Sequence, residues 1–223
     1  MSVLFHFIKN QIIMARPKKS EVQVKEIKTE LNVATLSATI VGISPLIMHN
    51  FDSKSKFQMK ENGIIEAGMK QGGKKKNIAN PEEDYKNSIY HFSDGERCGF
   101  PAIAIKSAMV YAGYQIFKKP QTLTRAAIYV RPDEDELIEV HGEHRIREDM
   151  VRVGTINKVA SPRYRAEFPE WKMNVTIQYF ADVISAEEVV KLLSAAGLAS
   201  GLGEWRPQKG GQMGMWRVIS ATY

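Results

Sequence analysis

The residues best placed to do chemistry lie in Gly197–Arg217, where six glycines fall within 21 residues. That density implies a backbone bent through angles closed to other residues, with N–H groups unshielded by side chains. Arg206, Lys209 and Arg217 add positive charge to the segment, and Trp205 and Trp216 add flat faces. Amides around Gly203, Gly210, Gly211 and Gly214, joined to cations and aromatics, suit a ligand built of phosphates and bases. A tight turn packing two buried tryptophans accounts for the glycines equally well. Three cations in one turn favour the ligand.

Two other groups of cations have the same character. Lys54, Lys56 and the run Lys74, Lys75 and Lys76 sit in a polar stretch over 50–96 that fits no period. The run lies beside Gly72 and Gly73, so contact with phosphates competes with an ordinary solvated face. Further on, Arg163 and Arg165 flank Tyr164, an aromatic that can stack on a base; the alternative is an exposed loop.

The histidines point less clearly to catalysis. His141 and His144 are spaced like metal ligands, yet no third ligand is evident and the segment does not read as a helix. An imidazole is the side chain suited to general-base work near neutral pH, so His49 could serve as one, but no cation partner or attacking hydroxyl can be read beside it. No Ser–His–Asp set, carboxylate pair or P-loop stands out. No catalytic residue, metal or cofactor is therefore assigned.

Elements must position these groups. A strand is expected at 32–43, stopped by Ser44 and Pro45. Pro101 launches a helix over 102–117 with Ile105, Ala108, Met109, Ala112 and Ile116 on one face. A strand follows at 124–130 and a shorter one at 137–140. Residues 141–168 read as an insertion whose cations are partly offset by acids. Strict alternation from Trp171 to Tyr179 marks a half-buried strand. Ser185 and Glu188 make a capping box, and Gly197 ends the helix they start. Met215–Ala221 is the last strand. The order is strand, helix, strand, strand, helix, strand. That order predicts an α+β fold with a ferredoxin-like split βαβ core: a four-stranded antiparallel sheet with two helices on one face. Two long insertions interrupt it, at about 45–100 and 131–170.

Charge and composition bound the partners. A net charge of +6 over 223 residues leans toward a polyanion, and the single Cys98 excludes an internal disulfide or a multi-cysteine zinc site. Residues 1–13 are apolar but too short to span a bilayer and lack the marks of a secretory signal. Met14 reads as a second initiation site, 1–30 as a flexible arm, and the compartment as cytoplasmic.

The glycine segment and the two insertions resemble the RAMP superfamily, the ferredoxin-like proteins of CRISPR effector complexes, and above all their repeated RNA-binding backbone subunit. Members carry a glycine-rich loop between the second helix and the last strand, where Gly201, Gly203, Gly210, Gly211 and Gly214 fall here. Their insertions at the two corresponding positions grip the nucleic-acid strand. The stretch from Gly201 to Gly211 also looks like a group of bacteriophage proteins, which implies a phage-encoded relative acting in the host cytoplasm. Glu204 departs from the family pattern as an acid within the loop, and Trp205–Lys209 separates its two glycine groups.

These readings converge on a non-enzymatic protein that binds single-stranded RNA or DNA with little regard to sequence and assembles side by side into homo-oligomers along the strand, with no membrane involved. The rival readings are a metal-independent ribonuclease using His49, a structural phage subunit, and an inhibitor mimicking a host backbone subunit. Each phosphate contact on a single strand contributes roughly 0.7 to the slope of log affinity against log salt. Replacing Lys74, Lys75 and Lys76 together by Ala should therefore weaken binding to every sequence alike and flatten that slope by about 2 units. An unaltered slope would make the run a solvated face.

Overall fold

A computed structural model describes residues 31–50, 80–153 and 159–223. The arm at 1–30 and Lys54, Lys56, Lys74, Lys75 and Lys76 lie outside the described residues.

Strand β1 (Val33–Gly42) sends Leu36, Ala38 and Ile40 inward and Thr35, Ser37 and Thr39 to the other side. That is the period-2 pattern of a sheet with one covered face. After the turn at Ser44 and Pro45 come β2 (Leu46–Met48), α1 (Pro81–Asn87), β3 (Tyr90–His91) and β4 (Cys98–Pro101). The polar stretch over 50–96 thus holds regular structure at its C-terminal end. Asn80 caps α1, Pro81 opens it, and Glu82, Glu83 and Asp84 fill its first turn, all favourable to a helix N-terminus.

Helix α2 (Ala102–Phe117) buries Ile105, Ala108, Met109 and Ala112. Ile116, expected on the same stripe, is 55 % exposed, because the helix outruns the core and closes at Lys118 in the left-handed conformation. The expected strand at 124–130 begins as a helix instead. Helix α3 (Gln121–Ala127) precedes β5 (Ile128–Arg131). Pro120 fixes the backbone at its start, and the Thr124 hydroxyl donates to the Pro120 carbonyl at 3.2 Å. Packing of buried Thr124 beside Gly113 of α2 outweighs the β preference of this short segment.

Next come β6 (Leu137–Glu139), β7 (Arg145–Val153) and β8 (Val159–Phe168). The region around Arg163, Tyr164 and Arg165 is therefore a strand paired with β7 and β2, not a loop. Strand β9 (Lys172–Phe180), α4 (Ala186–Ala199) and β10 (Trp216–Thr222) complete the chain. The capping box of Ser185 and Glu188 is present. Gly197 does not end α4: it lies within it, where its missing Cβ leaves room for the Trp216 carbonyl.

The main sheet runs β10-β1-β9-β5, each neighbouring pair antiparallel. Numbered by their place in the split βαβ order, these strands read 4-1-3-2, the ferredoxin-like arrangement, and the fold is α+β. Helices α2 and α4 pack together over its inner face. Two three-stranded sheets, β2-β8-β7 and β3-β4-β6, are built from the insertions. Trp216 is the largest side chain sealed in the core, 0 % exposed, with its Nε1–H donated to the Leu193 carbonyl at 3.1 Å. It is thus not the open flat face that its place in the glycine segment implied. Trp216→Ala should cost roughly 3–5 kcal/mol in urea unfolding, since it opens a large cavity in the core. A loss under about 1 kcal/mol would mean that the α4–β10 packing is loose.

Candidate nucleic-acid interface

The glycine segment folds onto the turn between β1 and β2. The Gly214 amide donates to the Pro45 carbonyl at 2.7 Å, the Glu204 amide to the Ile47 carbonyl at 3.0 Å, and the Met215 amide to the Ser44 hydroxyl at 3.0 Å. At Gly203 and Gly214 the chain has φ of +70° and +65°, and a Cβ would strike the Ile47 or Leu202 carbonyl. Glycine is required there for backbone to lie against backbone. The Gly210 and Gly211 amides bond to Pro207 and Arg206 carbonyls at 2.9 and 3.1 Å. With Gly214, they already donate within the protein. Side chains, rather than these amides, are what the loop offers a ligand.

Those side chains divide sharply. Trp205 takes a left-handed backbone, φ +56°, and leaves half its surface exposed. Both are unusual for a tryptophan, and neither serves the core. Beside it, the Arg206 guanidinium donates to the Gly203 carbonyl at 2.8 Å and to Gln208 Oε1 at 3.1 Å, which holds it in place, and Lys209 is exposed.

Glu204 turns the other way. Its Oε1 lies 3.0 Å from Nδ1 of His49, at the end of β2. This hydrogen bond is the main cause that holds the carboxyl below its ordinary value, assisted by charge from Arg165, His49 and Arg206 against partial burial. The His49–Glu204 pair borders a cleft of about 290 Å³ between the glycine segment and α2. No spacing rule links residues 155 apart, so the pair was missed in the sequence; the only sign was an acid in an otherwise basic loop.

The β7–β8 hairpin keeps most of its charge to itself. Arg145 and Arg147 bind the buried Glu167 at 2.8 and 2.7 Å, and Arg147 also binds Asp149 at 3.0 Å. Arg165 is not an exposed cation: it is 7 % exposed, its Nη1 is 3.6 Å from Asp149 Oδ2, and Nε and Nη1 make no hydrogen bond. Alternation along β8 sends Ala166 and Phe168 to the core, and Arg165 and Glu167 are buried on the strand's other face. Arg163 and Tyr164 are half-buried and border a slot of about 20 Å³ with His49, about the size of a water. The two spaced imidazoles have separate tasks: His141 meets Glu139 at 3.2 Å, and His144 bonds the Tyr85 hydroxyl. Among the described residues no group of three or more His, Cys, Asp or Glu is set to hold a metal.

A second feature lies on the outer face of the main sheet. Register places side chains in rows across it: Arg217, Val41 and Lys172; then Ser220, Thr39 and Asn174; then Thr222, Ser37, Thr176 and Arg131; then Thr35, Gln178 and Tyr129. Arg131, Lys172, Arg217 and Tyr129 are exposed, and none of the four strands contains an acid. In a chain with 25 Asp and Glu, that places three cations on a polar surface with no carboxylate on its strands to neutralise them. The alternation of Lys172, Asn174, Thr176 and Gln178 signalled the open face in the sequence. Only the strand order brought Arg131 and Arg217 to it.

A carboxyl whose folded value is depressed contributes stability fully above its ordinary value, near 4.5 for Glu204, and loses it as pH falls through the lower folded value. The stability difference between wild type and Glu204→Gln should therefore be widest above 4.5 and narrow as the pH is lowered below it. Urea unfolding across that window measures it; a constant difference would mean that the His49 contact does not hold the carboxylate.

No family model matches the chain, and no curated protein matches it. Among solved structures it is similar to a chain in a cryo-EM structure of the Type III-B Cmr-beta bound to cognate target RNA. The TM-score is 0.47 with 10 % identity, over 86 % of this chain and 60 % of that one. The chain thus spans about three-fifths of that neighbour's length. Its α+β fold rests on its own strand order, and no described helix is long and apolar enough to cross a membrane.

Proposed function

We propose that the chain is a non-enzymatic, RAMP-type protein that binds single-stranded nucleic acid with little regard to sequence and lines up in homo-oligomers along the strand. The observation that carries this reading is the acid-free outer sheet face with Arg131, Lys172 and Arg217. A single strand exposes both charged phosphates and flat bases, so it suits a surface of cations, small polar groups and a half-exposed Tyr129. Lys172 and Arg217 flank Val41 at the end of β1 nearest the glycine segment, where Trp205, Arg206 and Lys209 extend the same chemistry. A phage origin rests on the Gly201–Gly211 stretch alone and belongs to this proposal.

The His49–Glu204 contact favours one rival, a metal-independent ribonuclease, because a carboxylate can orient an imidazole for proton transfer. Labelled RNA incubated with the protein decides between them. Products that disappear with His49→Ala would make it an enzyme; uncut RNA retained with unchanged affinity keeps it a binder.

For binding itself, Arg131→Ala, Lys172→Ala and Arg217→Ala combined should weaken affinity for all sequences alike and flatten the salt slope by about 2 units. Trp205→Ala should cost roughly 1–3 kcal/mol of affinity with little change in slope or in melting temperature. Wild-type affinity and slope in the triple variant would overturn the sheet-face path.

A further inference from the structure

The cleft beside His49 and Glu204 sets a carboxylate where the proposed strand path would otherwise be cationic. A carboxylate repels phosphate, so a ligand that uses Glu204 must present hydrogen-bond donors to it. His49 holds Oε1, and no other hydrogen bond to the carboxylate is made among the described residues, so Oε2 and the second lone pair of Oε1 both still accept.

Gln208 supplies the opposite character. Its Oε1 accepts from Arg206 Nε at 3.1 Å and from Ser200 Oγ at 3.4 Å. Arg206 can only donate, so the amide oxygen is the atom facing it and the NH2 group is left to donate elsewhere. One wall of the cleft is apolar: Ala104 and Ala108, four residues apart on α2, bring little bulk, and Phe100 lines it beside them. A cleft of about 290 Å³ with an apolar wall, an acceptor in Glu204 and a donor in Gln208 suits a planar heterocycle.

We infer that this cleft takes one nucleobase of the bound strand turned out of its stack, and that Glu204 and Gln208 select guanine. Guanine's Watson–Crick edge offers two adjacent donors, N1–H and the N2 amine, to the carboxylate, and its O6 accepts from the Gln208 amide. Adenine places an acceptor, N1, where the carboxylate needs a donor. Uracil and cytosine each offer one donor. Arg206, held at the rim, is placed to meet the phosphate of the same nucleotide. This inference rests on the strand-binding reading and adds to it a preference at one position per protomer.

Fluorescence anisotropy with oligouridylate and oligothymidylate tracts tests it, each tract carrying a single central guanine, adenine, cytosine or hypoxanthine. The guanine tract should bind about tenfold more tightly than the adenine tract, within the range of a bidentate base contact. Hypoxanthine, which lacks the N2 amine, should fall between them. Glu204→Gln should bring the guanine and adenine tracts to the same affinity, with thermal melting confirming that the variant is folded. Where that variant fails to fold, Gln208→Ala takes its place, and it should narrow the guanine preference. Equal wild-type affinity for guanine and adenine, or a tighter cytosine tract, overturns the guanine site while strand binding stands. No binding to any tract overturns the strand-binding reading and this inference together.

Discussion

Two carbonyls just past β1, one in the turn and one in β2, hold the glycine segment in place. Pro45 and Ile47 accept from Gly214 and Glu204, which presses the glycine segment onto the start of the first insertion. A Cβ at 203 would strike the Ile47 carbonyl and one at 214 the Leu202 carbonyl, so glycine stands at both. The consequences run outward from there. Glu204 is delivered to His49, Trp205 is forced into a left-handed conformation with its ring in solvent, and Arg206 is tied back to the Gly203 carbonyl. The loop is a folded scaffold for side chains, and its amides are largely engaged in holding it closed.

Electrostatics divides the surface in a way that net charge does not foretell. On the β7–β8 hairpin every cation with a named partner is matched by Asp149 or Glu167. These pairs bind strand to strand, and such partly buried pairs are costly to break singly. On the outer sheet face none of the four strands carries an acid, and Arg131, Lys172 and Arg217 are exposed there. A polyanion is attracted where charge is uncompensated, whatever the local count of arginines. Arg165 marks the extreme case: a guanidinium inside the protein with two nitrogens unbonded, which ties the hairpin to the His49 region through its charge on Glu204.

The split βαβ core was legible from residue order, because hydrophobic alternation from Trp171 to Tyr179, the Ser185–Glu188 cap and the apolar face of α2 are local signals. They depend on neighbours one to four residues apart, and the structure keeps all three. Errors came where distant packing outweighed local preference. Thr124 went into a helix because its methyl and hydroxyl fit beside Gly113 and Pro120. Gly197 lies inside α4, where its missing Cβ leaves room for the Trp216 carbonyl.

For the candidate site, sequence alone determined which chemistries were present: the cations, the stacking aromatics and the glycines that permit close approach. It also carried the strand pattern that leaves one sheet face polar. Tertiary structure alone decided which of those groups work together. It buried Trp216 and Arg165, exposed Trp205, joined His49 to Glu204, and collected Arg131, Lys172 and Arg217 from three separate strands. The physical reason is that burial and pairing depend on strand order and loop closure across more than a hundred residues, whereas residue type and periodicity are properties of the local chain.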